Sequence, residues 1–190
     1  KAGDKAYVYS VNTNGITSIA VKGDSSEAVF ALQKITAVQP DSSVVSATEG
    51  SEYTIDGNSV NAILKAKEFN GSTESNKSMN FTPSVSFNIG SMVDAKNVCA
   101  SIVNTASGGV NVFVKLEADG MIYELGSMYL TAGETRTARF NLTNGASLTN
   151  GGKLHFYIRN VVQNNDNEYE LNADAALSIS QLRIEYAKGK

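Results

Sequence analysis

The sequence predicts an all-β fold, an antiparallel β-sandwich or barrel, on the basis of three observations. Apolar and polar residues alternate with a period of two along most of the chain, whereas helical stripes are nearly missing. Turn dipeptides such as Asn14-Gly15 and Asp119-Gly120 separate the alternating segments. About a dozen such segments fit into the chain, which is the density of short strands in a sandwich or barrel.

The alternating segments give the predicted strands in chain order. In Val85–Ile89, three apolar residues alternate with Ser86 and Asn88. Asp119-Gly120 is the strongest hairpin signal, because both central positions of a type I′ turn need positive φ. The predicted strands are Tyr7–Val11, Ile16–Lys22, Ala28–Lys34, Ser43–Thr48, Ser59–Ala66, Val85–Ile89, Asn97–Asn104, Val110–Ala118, Met121–Leu130, Thr135–Leu142, Leu154–Val162 and Leu177–Ala187.

We expect a single β-sandwich domain over residues 1–190. The polar stretch 70–77 has the composition of a linker, and we assign it to an internal loop because the strands before it are too few to bury a sheet alone. A separate N-terminal subdomain remains the alternative. Helix is an alternative to strand only at Ala28–Lys34 and Ala62–Phe69.

Composition narrows the classes of function. Lys+Arg number 16 and Asp+Glu 19, with no block of like charge, so we expect neither nucleic-acid binding nor attachment to anionic lipid. The apolar runs are far shorter than the roughly 20 residues of a membrane span, and we expect no membrane insertion. One cysteine and one histidine cannot form an ordinary zinc site within a monomer. The buried-strand context of Cys99 predicts a small core residue rather than a reactive thiol.

The alternation also assigns side chains to the two faces of each strand. The side of Tyr123 is ambiguous, because it shares its parity with Met121 and Leu125. The outward residues predicted from the other strands are His155, Tyr157 and Arg159, then Asn111, Phe113, Lys115 and Glu117, and then Arg139 and Asn141.

An outward row of Tyr, His and Arg is what a sugar-binding face requires. Sugar rings present C–H patches that lie on aromatic faces, and their hydroxyls accept hydrogen bonds from planar donors. The alternative is a solvated sheet face on which Tyr157 and Phe113 serve only cross-strand packing. The pattern alone favours that alternative.

Strand-and-turn motifs recur in order over about two thirds of the chain. They are Asp56-Gly57-Asn58-Ser59-Val60, Val85-Ser86-Phe87-Asn88-Ile89, Val110-Asn111-Val112-Phe113-Val114-Lys115-Leu116, Leu130-Thr131-Ala132-Gly133-Glu134-Thr135, Ala138-Arg139-Phe140-Asn141-Leu142, Leu154-His155-Phe156-Tyr157-Ile158 and Ile179-Ser180-Gln181-Leu182-Arg183-Ile184-Glu185-Tyr186. Their order resembles that of jelly-roll carbohydrate-binding modules of the galactose-binding-domain-like type. Such modules are appended to bacterial glycoside hydrolases and cell-surface proteins.

The resemblance implies a jelly-roll fold, a sugar site on the concave sheet or in the loops at one edge, and often a structural Ca²⁺. The chain departs from many such modules in having no Trp, so Tyr must supply the stacking. The ligand-binding residues implied are Tyr157, Arg159, His155, Arg139, Asn111, Phe113, Lys115 and Tyr123. The acidic residues nearest the expected calcium position are Asp24, Glu27 and Asp174.

Together these observations predict a non-catalytic carbohydrate-binding module of a bacterial extracellular or cell-surface protein. We expect polysaccharide or another glycan as its partner, no required cofactor, and a monomer or one module of a larger chain. Catalysis is not expected, because no G-x-S-x-G elbow occurs and no carboxylate pair stands out. The alternatives are a structural or adhesive spacer without a sugar site, and a pilus-like scaffold subunit.

Overall fold

The computed structural model describes residues 33–65, 83–143, 145–158, 161–163, 169–171 and 174–188. Every regular element in this part of the chain is a strand, which confirms the all-β prediction. The strands predicted at 7–11 and 16–22, most of that at 28–34, and the stretch 70–77 lie outside the described residues. The strands are β1 (Gln33–Ala37), β2 (Val45–Ala47), β3 (Glu52–Asp56), β4 (Ser59–Leu64), β5 (Ser84–Ile89), β6 (Ala95–Asn104), β7 (Val110–Ala118), β8 (Met121–Leu130), β9 (Thr135–Asn141), β10 (Gly152–Ile158), β11 (Val161–Gln163), β12 (Tyr169–Leu171) and β13 (Ala175–Lys188).

Two antiparallel sheets form the sandwich. Sheet A has the order β3-β4-β13-β6-β9, with β1 also paired to β13, and sheet B has the order β2-β5-β10-β7-β8. When the eight principal strands are renumbered from β4 onward, omitting the β11–β12 hairpin, sheet A reads 1-8-3-6 and sheet B reads 2-7-4-5. This order is that of a jelly roll, in which two Greek keys wrap into facing sheets.

The core lies between the sheets and is built from alternate residues, as the period-two pattern predicts. Leu154, Phe156 and Ile158 of β10 are at most 1% exposed. Phe156 meets Phe87 of β5 edge to face, with ring centroids 5.7 Å apart. Such pairs add about 0.5–1.5 kcal/mol to the burial of apolar area. The inward side of these strands therefore agrees with the prediction.

The Asp119-Gly120 turn joins β7 to β8 as predicted. Asp119 has φ of 51° and Gly120 has φ of 71°, so both central positions occupy the left-handed region. Asn150 donates a hydrogen bond from Nδ2 to Oδ1 of Asp119 at 2.7 Å, which ties the turn to a neighbouring loop. The turn fixes the register with which β8 forms the edge of sheet B.

None of the residues that the structure describes forms a helix with the length and apolar character needed to span a bilayer.

Candidate functional site

The face of sheet B that points away from the core carries most of the predicted ligand residues. We call it the outer face. Cross-strand register places Tyr157 of β10 opposite Phe113 of β7, and His155 opposite Lys115. The outer face consists of Ser84, Ser86 and Asn88, then Lys153, His155 and Tyr157, then Asn111, Phe113, Lys115 and Glu117, and then Ile122, Glu124, Ser127 and Tyr129.

Tyr157 is part of a packed aromatic pair. Its ring stacks on that of Phe113 with centroids 5.3 Å apart and an interplanar angle of 24°. Nζ of Lys115 lies 5.4 Å from the centroid of the Tyr157 ring, within cation–π range. Tyr157 is only 4% exposed although it points away from the intersheet core. Its ring therefore stabilises the outer face and offers almost no area to a ligand.

His155 sits beside this pair in a buried hydrogen-bonded position and is 5% exposed. Its Nε2 lies 3.3 Å from Oε2 of Glu117, and its Nδ1 lies 2.8 Å from Oγ of Ser86. An ionised carboxylate can only accept, so Nε2 carries the proton and Nδ1 accepts from the Ser86 hydroxyl. Burial, with Lys153 nearby, lowers the pKa of His155 more than Glu117 raises it. The ring is therefore neutral near pH 7 and has a structural role.

Lys115 is a buried cation on the outer face, next to His155 and Tyr157. Burial opposes its charge, but hydrogen bonds to Glu124 and Tyr157 raise the pKa of its ammonium group above the usual value. Nζ lies 3.0 Å from Oε1 of Glu124, whose side chain is 80% exposed. Lys115 thus joins the aromatic pair to β8 rather than projecting toward a ligand.

The part of the outer face along β7 and β8 is open, and its most exposed ring is Tyr129. Tyr129 is 54% exposed and stands directly opposite Asn111, which is also exposed. The next cross-strand pair is half-buried Phe113 opposite exposed Ser127. We call these four residues the Tyr129 strip. It combines an exposed aromatic ring with an amide and a hydroxyl on neighbouring strands.

Tyr129 is not evident as an outward residue from the sequence, because β8 contains a bulge. Val114 pairs with Gly126, but the next residue of β7, Lys115, pairs with Glu124, so Leu125 is an extra residue. An extra residue reverses which side chains point outward beyond it. Gly126 inside the strand pattern was the available signal, because an isolated glycine in a strand often marks a bulge.

The same bulge places Tyr123 on the inner face. It pairs with Leu116 and packs, half-buried, against the core. The expectation that Tyr123 joins the other candidate residues on one face is therefore wrong. Arg159 lies outside the described residues.

Arg139 is also separated from the other candidates, because β9 belongs to sheet A rather than to sheet B. Its Nε donates to Oε2 of Glu185 at 2.8 Å. The expectation that Arg139 lies on one sheet face with the other candidate residues is therefore wrong. Arg139 forms instead an ion-pair cluster with Glu185 and Arg183 on the outward side of sheet A.

Cys99 lies under this cluster. It pairs with Arg183 on one side and with Arg139 on the other, and it is fully buried. Burial and the neighbouring Glu185 raise the pKa of its thiol to about 11. The prediction of a buried thiol is confirmed, but Cys99 points away from the intersheet core rather than into it.

The predicted calcium ligands are only partly within the described residues. Asp24 and Glu27 lie outside them, and Asp174 forms an ion pair with Lys65 at 3.1 Å between Oδ2 and Nζ. Within the described ranges, no three His, Cys, Asp or Glu side chains come together as a metal site would require. The Asp174 carboxylate can supply at most two of the 6–8 oxygens of a calcium site, and the other two predicted ligands are not among the described residues. The calcium site therefore remains a prediction.

Comparison with solved structures finds the same architecture in carbohydrate-binding modules. A point mutant of a family 29 module superposes with a TM-score of 0.50 and 13% identity, covering 81% of this chain and 92% of that one. Another family 29 mutant, in complex with mannohexaose, gives a TM-score of 0.49 at 13% identity and covers 83% and 93% of the two chains. A family 22 xylan-binding domain from Paenibacillus barcinonensis gives 0.47 at 12% identity and covers 78% and 89%.

No protein-family model matches the chain, and no curated protein matches it in sequence. At the identities found among solved structures, the likeness establishes a shared fold, and a shared fold does not by itself specify a ligand. The chain is an antiparallel β-sandwich with the jelly-roll fold that carbohydrate-binding modules also have.

Proposed function

We propose that the chain is a non-catalytic module that binds carbohydrate through the Tyr129 strip. The observation that carries this proposal is an aromatic ring, 54% exposed, standing next to exposed polar side chains on a regular sheet face. The C–H face of a pyranose stacks on such a ring, while the Asn111 amide and Ser127 hydroxyl exchange hydrogen bonds with its hydroxyls.

The buried part of the outer face has a supporting role in this proposal. The Phe113–Tyr157 pair joins β7 to β10, and the Lys115–Glu124 ion pair joins β7 to β8. Side chains locked by packing hold a binding surface in place without further loss of conformational entropy when the ligand binds. The ligand therefore meets a preformed strip.

A strip of this size supports modest affinity. One aromatic stack contributes about 0.5–1.5 kcal/mol beyond its buried area, and each exposed neutral hydrogen bond contributes about 1 kcal/mol net. Sums of this order, about 4–8 kcal/mol with the buried area, correspond to millimolar to micromolar dissociation constants. Such affinity suits a module that holds a larger bacterial extracellular or cell-surface protein on a polysaccharide.

The test is affinity electrophoresis through gels that contain soluble polysaccharides, with gluco-, manno- and xylo-configured chains in the panel. We expect retardation by at least one polysaccharide, and we expect Tyr129→Ala to lose it. Ile63→Ala serves as the matched control, because Ile63 is 44% exposed on sheet A, away from the strip. Retardation that is equal in wild type and Tyr129→Ala would place the site elsewhere.

A structural spacer is the second candidate, and the burial of Tyr157 and His155 favours it. Both residues point away from the core and yet are at most 5% exposed, so these two members of the predicted ligand row cannot reach a glycan. A spacer would migrate identically with and without every polysaccharide in the panel.

A further inference from the structure

Gly109 immediately precedes β7 at the end of the Tyr129 strip, two residues before Asn111. Its φ is not in the left-handed region, so the backbone does not require glycine at this position. No type I′ or II′ turn is involved, and an alanine would adopt the same backbone conformation without strain. The reason for glycine here must lie in what surrounds it.

The side chain of Tyr129 fills the space into which a Cβ of Gly109 would project. A Cβ atom added to Gly109 would overlap the hydroxyl oxygen of Tyr129, which is the nearest heavy atom, and would lie 2.5 Å from Cζ and 3.0 Å from Cε2 of the same side chain. The hydroxyl end of the Tyr129 ring therefore occupies the space that a side chain at position 109 would need. A diagonal reach of this kind, from one strand to the residue two positions from its cross-strand partner, is within the length of an aromatic side chain.

We propose that Gly109 is the positioning residue of the strip: its missing side chain leaves room for the hydroxyl end of the Tyr129 ring just before β7. This inference rests on the proposed function. Any Cβ at position 109 pushes the ring away from the sheet. Because Tyr129 is more than half exposed and its ring is the far end of a rotatable side chain, the fold accommodates this shift while the platform is lost.

Gly109→Ala tests this inference, with Gly108→Ala as its matched control. Gly108 is the adjacent glycine, its φ is likewise outside the left-handed region, and a Cβ there meets no heavy atom within 4 Å. We expect Gly109→Ala to raise the dissociation constant for the glycan that binds wild type about tenfold, as we expect of Tyr129→Ala. Gly108→Ala should bind as wild type, and all three variants should keep the wild-type melting temperature.

A second readout follows the ring itself. The chain has no Trp, so Tyr129→Trp introduces a single tryptophan whose emission reports on this position alone. Added to the Tyr129→Trp variant, Gly109→Ala should shift that emission, and Gly108→Ala should leave it unchanged. In the double variant Gly109→Ala/Tyr129→Ala, binding should be no weaker than in Tyr129→Ala, since both changes remove the same contact.

The outcomes separate the inference from the function on which it rests. The positioning role of Gly109 would be overturned, and the proposed function would stand, if two results came together. Gly109→Ala would bind the glycan with unchanged affinity, and Gly109→Ala in the Tyr129→Trp background would leave the tryptophan emission unchanged. Additive losses in the double variant would also overturn the positioning role, because Gly109 would then act independently of the ring. If no polysaccharide in the panel retarded the wild-type protein, the proposed function itself would be overturned.

Discussion

Replacing Tyr157 by alanine should destabilise the fold rather than remove a binding contact. The Tyr157 ring is 4% exposed and stacks on Phe113 at 5.3 Å. Its removal leaves a cavity on the outer face and deprives Lys115 of the ring over which Nζ lies at 5.4 Å. The resemblance to carbohydrate-binding modules instead implies an exposed ligand residue at this position, and truncation of such a residue would leave stability unchanged.

The size of the effect follows from the burial of the ring. Truncation of a buried aromatic side chain to alanine costs about 3–5 kcal/mol, and the loss of one stacked pair is part of that cost. For a chain of this length, each kcal/mol lowers the melting temperature by about 2–4 °C. With the lower figure of about 3 kcal/mol, we expect Tyr157→Ala to melt about 6–12 °C below wild type.

Thermal unfolding followed by circular dichroism measures this difference, with Tyr129→Ala as the matched control. Tyr129 is 54% exposed, so its truncation should change the free energy of unfolding by no more than about 0.5 kcal/mol, or about 2 °C. Tyr157→Phe should keep the stack and most of the stability. If Tyr157→Ala melted within about 2 °C of wild type, the ring would not be packed as described. The distinction between a packed region of the outer face around Tyr157 and an exposed region around Tyr129 would then be wrong.

Three further predictions concern buried polar groups. Burial lowers the pKa of His155, so the folded protein binds fewer protons than the unfolded chain. The contribution of His155 to the free energy of unfolding should therefore be fully present above about pH 6.5 and should fall as the pH drops below it. In urea denaturation, the difference in the free energy of unfolding between pH 8 and pH 5 should be smaller in His155→Gln than in wild type. The Cys99 thiol is fully buried with its pKa raised to about 11, so a thiol reagent at pH 8 should label it only at the rate of unfolding, and fast labelling would contradict its burial. Asn104 is fully buried, and the two hydrogens of its Nδ2 are shared among three backbone carbonyls within hydrogen-bond distance. Asn104→Ala should therefore lower the free energy of unfolding, measured by urea denaturation, by about 2–3 kcal/mol, and an unchanged value would show that these bonds do not stabilise the fold.

The strands and the inward residues could be predicted from the sequence because the period of a strand is local. In β7 and β10 alternation alone assigned every described core residue to the correct side, and Asp119-Gly120 fixed the turn between β7 and β8. These features depend on neighbouring residues along the chain, which a sequence displays directly.

Alternation could not decide which strands are neighbours. Arg139 points outward as predicted, yet it does so from sheet A, because the jelly-roll order separates β9 from β7 and β10. Cys99 was assigned to the core because its strand is apolar, but its side chain faces outward beneath Arg139 and Arg183. Pairing partners are set by the long-range topology, on which a period of two carries no information.

The position of the exposed ring was missed for a different reason. One extra residue, Leu125, reverses the alternation within β8 and exchanges the roles of Tyr123 and Tyr129. Nor could the pattern distinguish an outward residue that is exposed from one that is packed, as Tyr157 and Tyr129 illustrate. Exposure depends on what lies above a face, whereas alternation reports only its direction.

The most direct test of the central claim is a two-dimensional NMR titration of the isotope-labelled chain with a soluble oligosaccharide derived from the polysaccharide that retards it. We predict that the amide shifts of the strip, at positions 111, 113, 127 and 129, move with ligand, while those of the Arg139 cluster on sheet A stay fixed. Shifts that concentrate on sheet A, or a spectrum that no glycan changes, would contradict the assignment of carbohydrate binding to the Tyr129 strip.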